Sequence, residues 1–112
     1  MLPPEEALVQ AQRLLDEGLP FHAHEVLEGV WKAAPDGERD LWQGLAQLAV
    51  GLTHLLRGNP AGAGTVLRRA RDRIAPYADA APYGVDVAGL LAWVREALAG
   101  SAAPPTIPRL VG

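Results

Sequence analysis

Glycine and proline residues divide this 112-residue chain into segments, and within five of them apolar side chains recur at helical spacing. Proline suits the first turn of a helix, and glycine accepts the left-handed conformation that follows a last turn. The predicted boundary residues are Pro3, Pro4, Gly18, Pro20, Pro35, Gly37, Gly58, Pro60 and Gly100. Asp36, Asn59 and Asp86 precede helical segments and are the expected N-caps. No segment alternates apolar and polar residues in the β-branched pattern of a strand, so strands are not expected.

The expected fold is a single all-α bundle of about five helices, built from antiparallel helical hairpins. A chain of this length, 49% apolar and 21% charged, suits one compact domain and excludes a fully disordered protein. We assign residues 1–100 to the helical bundle and residues 101–112 to an extended, proline-containing C-terminal tail. The sequence leaves two alternatives for that tail. Either it docks on the bundle through its apolar side chains, Ile107, Leu110 and Val111, or it is mobile.

Two hairpins of the chain match each other when the sequence is shifted by forty residues. The first hairpin shares leucine, glycine, proline, alanine and valine positions with the second. The matching pairs are Leu15 and Leu55, Gly18 and Gly58, Pro20 and Pro60, Ala23 and Ala63, Val26 and Val66, and Leu27 and Leu67. This match predicts a duplicated hairpin, since two units are too few for a solenoid. The first hairpin alone carries His22, His24, Glu25 and Glu28, which a shared fold does not require.

A polar line on the third helix suggests where the partners of these residues lie. The segment 41–56 is apolar on almost every side, yet Gln43, Gln47 and His54 follow at i, i+4 and i+11. Burying such groups without partners costs about 1–3 kcal/mol each. We therefore expect a buried polar cluster between the second and third helices. Its expected members are His24, Glu25, Glu28, Trp31, Gln43, Gln47 and His54. We expect Glu25 or Glu28 to contact Gln43, Gln47 or a histidine across the interface between the second and third helices.

Three interpretations of the cluster remain open. It is a structural network that fixes helix register, a metal site, or an acid–base or small-ligand site. In the metal interpretation the candidate ligands are His24, Glu28 and His54, because histidine and glutamate four residues apart on a helix can chelate one ion. In the structural interpretation, Glu28→Ala leaves buried donors unpaired at about 1–3 kcal/mol, whereas Glu28→Gln is milder. No cofactor is predicted, and a divalent metal is the alternative.

Charge and composition exclude several partners and compartments. The net charge of −3 gives no positive field for nucleic acid, so no DNA partner is expected. The absence of cysteine excludes disulfides and thiolate metal sites. The most apolar segment is shorter than the roughly 18–20 residues of a membrane span, so no membrane association is expected. The N-terminus lacks the pattern of a secretory signal, which predicts a cytoplasmic protein.

The motifs of residues 14–74 resemble one protein family. They comprise Phe21-His22-Ala23-His24-Glu25-Val26-Leu27-Glu28, Trp31, Gln43-Gly44-Leu45-Ala46-Gln47-Leu48-Ala49, His54, Arg57-Gly58-Asn59 and Ala61-Gly62-Ala63. Together they are similar to the bacterial and archaeal family called domain of unknown function 309. This resemblance implies a small helical bundle and no established activity. The implied signature residues are His24, Glu25, Glu28, Trp31, Gln43, Gly44, Gln47, His54, Gly58 and Asn59.

Two functions follow from these observations. The leading hypothesis is a small, non-catalytic helical module that binds an unknown protein or small molecule. The alternative is a metal-dependent or acid–base hydrolytic enzyme that uses His24, Glu25, Glu28 and His54. The sequence contains no recognised nucleophile motif, which favours the binding module. It leaves the oligomeric state open.

Overall fold

The computed structural model describes residues 2–100 and 105–112, and in this part of the chain five α-helices form an all-α bundle. The helices are α1 (Pro4–Asp16), α2 (Pro20–Ala33), α3 (Asp36–Leu56), α4 (Pro60–Ile74) and α5 (Val87–Leu98). Two 3₁₀ turns, Ala75–Tyr77 and Pro82–Gly84, connect α4 to α5. The fold class predicted from the sequence is confirmed. No helix among the described residues has the length and apolar character to span a lipid bilayer.

Local side-chain chemistry sets the starts of the later helices. The Asn59 side chain accepts a hydrogen bond from the Gly62 amide at 3.2 Å, and Asp86 accepts one from Gly89 at 3.1 Å. The N-caps predicted at these two positions are therefore confirmed. The prediction for Asp36 is wrong, because Pro35 occupies the N-cap position of α3 and makes no side-chain cap. Asp36 is instead the first helical residue, where its carboxylate complements the positive end of the helix dipole.

The turns that follow α1 and α3 have the same backbone geometry. Gly18 and Gly58, forty residues apart, adopt φ values of +77° and +73°. In both turns the glycine amide bonds the carbonyl three residues earlier and the next amide bonds the carbonyl five residues earlier, at 2.9–3.1 Å. This is the Schellman arrangement, which satisfies carbonyl groups at the end of a helix. The repeated turn supports the predicted duplication of the hairpin.

Helix α3 packs against both α2 and α4 and supplies much of the core. Its fully buried side chains include Trp42, Leu45, Leu48 and Leu52. Glycines of α3 leave room for α4 at two positions. A methyl group added at Gly44 would come within 2.5 Å of Ile74 Cγ2 and 3.2 Å of the Ala70 carbonyl oxygen. One added at Gly51 would come within 2.6 Å of Leu67 Cγ, so small residues at both positions allow the α3–α4 contact.

The described part of the C-terminal segment, residues 105–112, packs against α1 and α5. Leu110 is almost completely buried in the core. The Gln12 side chain donates to the Pro108 carbonyl at 3.1 Å and accepts from the Leu110 amide at 2.8 Å. Val111 forms an isolated antiparallel bridge with Val85. Residues 101–104 lie outside the described residues, and the division into bundle 1–100 and tail 101–112 stays a prediction.

Candidate functional site

Helix α2 carries a chain of polar contacts made by side chains one turn apart. His24 Nε2 lies 2.8 Å from Glu28 Oε2, and Lys32 Nζ lies 3.0 Å from Glu28 Oε1. The predicted shared face of His24 and Glu28 is thus correct. The Phe21 ring packs at a tilt against the imidazole, with 5.3 Å between ring centroids. His24 is partly buried, and its Nδ1 atom has no hydrogen-bond partner among the described residues.

The expected contacts across the α2–α3 interface are not made within the described residues. Glu25 pairs instead with His22 of its own helix, at 3.3 Å, and both side chains are 60% exposed. Glu28 pairs with His24 and Lys32, also within α2. The prediction that these carboxylates contact glutamines or a histidine of α3 is therefore wrong. Side chains three or four residues apart on one helix meet without any tertiary requirement, and these local pairs satisfy the carboxylates.

The polar line of α3 lies at the surface of the bundle. Between residues 41 and 53, every residue is buried except Gln43, Gln47 and Val50, which are half-buried and share a face with the half-buried His54. The helix is therefore covered on most sides but not on this stripe. Gln43 can use solvent as its partner, which explains why no complementary group from α2 is needed. Gln47 differs, because its Oε1 atom is buried without a partner among the described residues.

His54 has a structural position at the end of α3. Its Nδ1 atom accepts a hydrogen bond from Asn59 Nδ2 at 3.1 Å, while Asn59 Oδ1 caps α4 through the Gly62 amide. A methyl group added at Gly62 would approach His54 Nδ1 to 3.0 Å. Three residues of the family motif therefore form one cap for the start of α4. The sequence argument missed this role, although the spacing of histidine, asparagine and glycine around a turn was visible.

The candidate metal ligands are not assembled into one group. Within residues 2–100 and 105–112, no three histidine, aspartate or glutamate side chains lie together in a ligand arrangement. His24 and Glu28 are adjacent, but His54 is engaged with the cap of α4. Metal binding by this protein stays a prediction. Trp31, an expected member of the cluster, is half-buried, and the guanidinium of Arg39 in α3 lies 5.8 Å from its ring centroid.

The Glu28 carboxylate titrates below its ordinary range. The hydrogen bond from Lys32 is the main cause of its lowered pKa; burial opposes the shift, while the charges of Lys32 and His24 add to it. A lowered pKa means that the ionised form is favoured in the folded protein. The stabilisation from Glu28 is therefore present above the ordinary pKa of 4.5 and is lost as the pH falls through the folded value.

We expect Glu28→Ala to lower the free energy of unfolding at pH 7 by about 0.3–1 kcal/mol, because the pair is partly exposed and lies within one helix. Glu28→Gln should have a smaller effect, since its amide oxygen still accepts a hydrogen bond. At pH 3 the differences from the wild type should be smaller, because the ionised form of Glu28 is progressively lost as the pH falls below 4.5. Urea unfolding at the two pH values measures this, with Glu25→Gln as the more exposed control. Equal stability of all proteins at pH 7 would contradict it.

A cleft that was not predicted from the sequence is lined by Phe21, whose ring packs against His24. It has a volume of about 360 Å³ and opens between the α1–α2 turn and the end of α3. The large apolar side chains of Leu19, Phe21 and Leu56 line it and are 41%, 47% and 47% exposed. His22 and Arg57 are among its polar lining residues. We call it the turn cleft. The only sequence signal was apolar residues placed off the core stripes of their helices.

Comparison with protein families places these residues in one of them. The model of the domain of unknown function (DUF309) matches residues 8–66, which include every predicted site residue, the α1–α2 turn and the cap of α4. Searches of curated proteins and of solved structures found no match. The family match covers more than half of the chain and agrees with the motifs identified from the sequence. The chain belongs to the DUF309 family.

Proposed function

We propose that the protein is a small helical binding module and that the turn cleft is its binding surface. The observation that carries this proposal is the convergence of three exposed apolar side chains, Leu19, Phe21 and Leu56, on one cleft. Isolated exposed apolar residues are ordinary, but a group around a concavity is typical of a protein interaction site. One side of the cleft is the Schellman turn at Gly18, so the backbone on that side is held in place before a partner binds.

The charge at the cleft favours an acidic partner. Arg57 lines the cleft and makes no ion pair within the described residues. The neighbouring imidazole of His22 faces Glu25. A carboxylate beside an apolar anchor would satisfy Arg57 while the anchor packs on Phe21 and Leu56. We therefore propose an amphipathic helical segment of another protein, with acidic residues next to leucine or phenylalanine, as the partner.

A defined peptide pair tests this function. The probe is a helical peptide with leucine and phenylalanine anchors flanked by glutamates, and its control carries lysine in place of each glutamate. Isotope-labelled protein is titrated with each peptide and followed by NMR. The acidic peptide should bind more tightly, with shifts confined to residues 18–22 and 53–57. Phe21→Ser and Leu56→Ser should each weaken binding at least tenfold, equivalent to about 1.4 kcal/mol.

Val9→Ser is the matched control, because Val9 is an exposed apolar residue of α1 that does not line the turn cleft. This variant should bind the acidic peptide as the wild type does. Equal binding of the acidic and basic peptides, shifts elsewhere on the protein, or no binding of either would contradict the proposed surface. Circular dichroism of each variant establishes that it is folded.

The alternative, a metal-dependent or acid–base hydrolase, is supported by the short His24–Glu28 contact, which resembles the base and its orienting group in enzymes. Metal analysis of protein purified without chelating resin, followed by calorimetric titration with zinc and manganese, separates the two functions. Stoichiometric binding that is lost in His24→Ala and in Glu28→Ala would favour the hydrolase. A cytoplasmic location and the absence of DNA binding remain proposals from the sequence.

A further inference from the structure

A second cleft lies on another part of the bundle, along α1. It has a volume of about 570 Å³ and is lined by α1, by Tyr83 before α5 and by the C-terminal segment. Pockets that hold small molecules usually measure about 300–1,000 Å³, so this cleft is large enough for one. We call it the α1 cleft. The family match ends before Tyr83 and the C-terminal segment, so two of its walls lie outside the matched region.

The middle of the α1 cleft is apolar and exposed. Val9 of α1 and Val111 of the C-terminal segment line it together with the Tyr83 ring, and each of these side chains is more than a third exposed. Leu8 contributes a buried apolar floor. Apolar side chains from three separate parts of the chain therefore face one concavity. An apolar body of a ligand would be removed from water by all three.

Tyr83, which lines one side of the α1 cleft, has an unfavourable backbone conformation. Its φ of +56° and ψ of +21° lie in the left-handed region, which non-glycine residues rarely adopt. The Tyr83 hydroxyl donates to Glu38 Oε1 at 2.7 Å, and the ring lies against Trp42 with 5.7 Å between centroids. The Glu38 hydrogen bond raises the pKa of Tyr83, because it stabilises the protonated hydroxyl. Such strain persists where surrounding contacts fix it, and it is concentrated at ligand sites.

The charges in the cleft are unevenly balanced along α1. Arg109 Nη1 pairs with Asp16 Oδ1 at 3.2 Å, so these two charges compensate each other. Arg13 lies one turn before Asp16 and makes no ion pair within the described residues. Glu5 is the other charge that lines the cleft, roughly 12 Å from Arg13 along the helix axis. The end of the cleft near Arg13 therefore carries a net positive charge.

We infer that the α1 cleft binds a small amphipathic carboxylate, with its apolar body between Val9, Val111 and Tyr83 and its carboxylate on Arg13. Guanidinium and carboxylate groups match in geometry and form charge-assisted hydrogen bonds. Glu5, two turns away, disfavours a second acidic group on the same ligand. The expected ligand class is thus a monocarboxylate with an aliphatic or aromatic body.

Three probes of equal chain length test the inference: octanoate, octanol and octylamine, each used below the concentration at which it aggregates or separates from water. NMR titration of isotope-labelled protein should show octanoate binding at least about tenfold more tightly than the other two. The shifts should lie at residues 8–16, at 83 and at 109–111. Arg13→Gln should reduce octanoate affinity to that of octanol, since only the head-group contact is lost. Val9→Ser should weaken octanoate and octanol alike.

Arg95→Gln is the matched control, because Arg95 is an exposed arginine of α5 that does not line the cleft. It should leave the affinity for octanoate unchanged. The inference is overturned if octylamine binds as tightly as octanoate, if Arg13→Gln has no effect, or if none of the probes binds saturably. Shifts confined to the turn cleft would overturn it as well. The two clefts share no lining residue, so this result is independent of the proposed protein partner.

Discussion

Replacing Trp42 with alanine is expected to lower the free energy of unfolding by about 3–5 kcal/mol. Trp42 is completely buried in the core, and its indole N–H donates to Glu38 Oε1 at 3.3 Å. Alanine removes the largest side chain of the core and leaves a cavity that the neighbouring helices cannot fill without moving. A domain of this size has a total stability of about 5–15 kcal/mol, so the loss is a large fraction. Urea unfolding followed by circular dichroism measures it.

Trp93→Ala provides the comparison for this experiment. Trp93 is half-buried, and its indole N–H donates to the Thr106 carbonyl at 3.1 Å and to the Thr106 hydroxyl at 3.0 Å. Its truncation removes less buried apolar surface, so a smaller loss of stability is expected. A loss for Trp42→Ala no greater than that for Trp93→Ala would contradict the central position assigned to Trp42.

Gly44→Ala is expected to destabilise the protein by about 1–3 kcal/mol, although alanine is the better helix former. The added methyl group would meet Ile74 Cγ2 at 2.5 Å, Arg73 Cβ at 3.1 Å and the Ala70 carbonyl oxygen at 3.2 Å. The last two atoms belong to or adjoin the α4 backbone, so they cannot rotate away. The α3–α4 contact must therefore open, which outweighs the gain in helix propensity. Thermal and urea unfolding measure the difference.

Gly29→Ala is the matched control with the opposite expected sign. Gly29 lies within α2, and a methyl group added there would meet no atom within 4 Å. Only the helix propensity changes, so the variant should be more stable than the wild type by about 0.5–1 kcal/mol. If both variants changed stability in the same direction, close packing at Gly44 would not be the reason for its glycine.

The helices could be predicted from the sequence because their boundaries depend on local chemistry. Gly18 and Gly58 adopt the positive φ that a glycine at a helix end predicts, and Asn59 and Asp86 cap the helices that follow them. The N-cap of α3 was predicted wrongly at Asp36, because Pro35 and Asp36 are adjacent and both residue types are common where helices begin. The family membership followed from motifs within the same helices and turns.

The candidate site was predicted less well because it depends on which faces of the helices are covered. Helical periodicity placed Gln43 and Gln47 on one line but could not show that this line lies at the surface. It placed His24 and Glu28 on one face of α2, which is a local relation and is correct. The turn cleft and the α1 cleft join residues far apart in the sequence, and no pattern within one helix indicates them.

The contacts of Gln12 with the C-terminal segment have a consequence for the order of folding. They join residues 96 and 98 positions apart, whereas the two hairpins join helices that are neighbours in sequence. Loop closure over such a distance becomes favourable only after the helices have assembled, so this segment should dock last and detach first. Detachment would remove Arg109 and Val111 from the α1 cleft. A ligand bound there would therefore slow hydrogen exchange at the Leu110 amide, because it binds only the docked form.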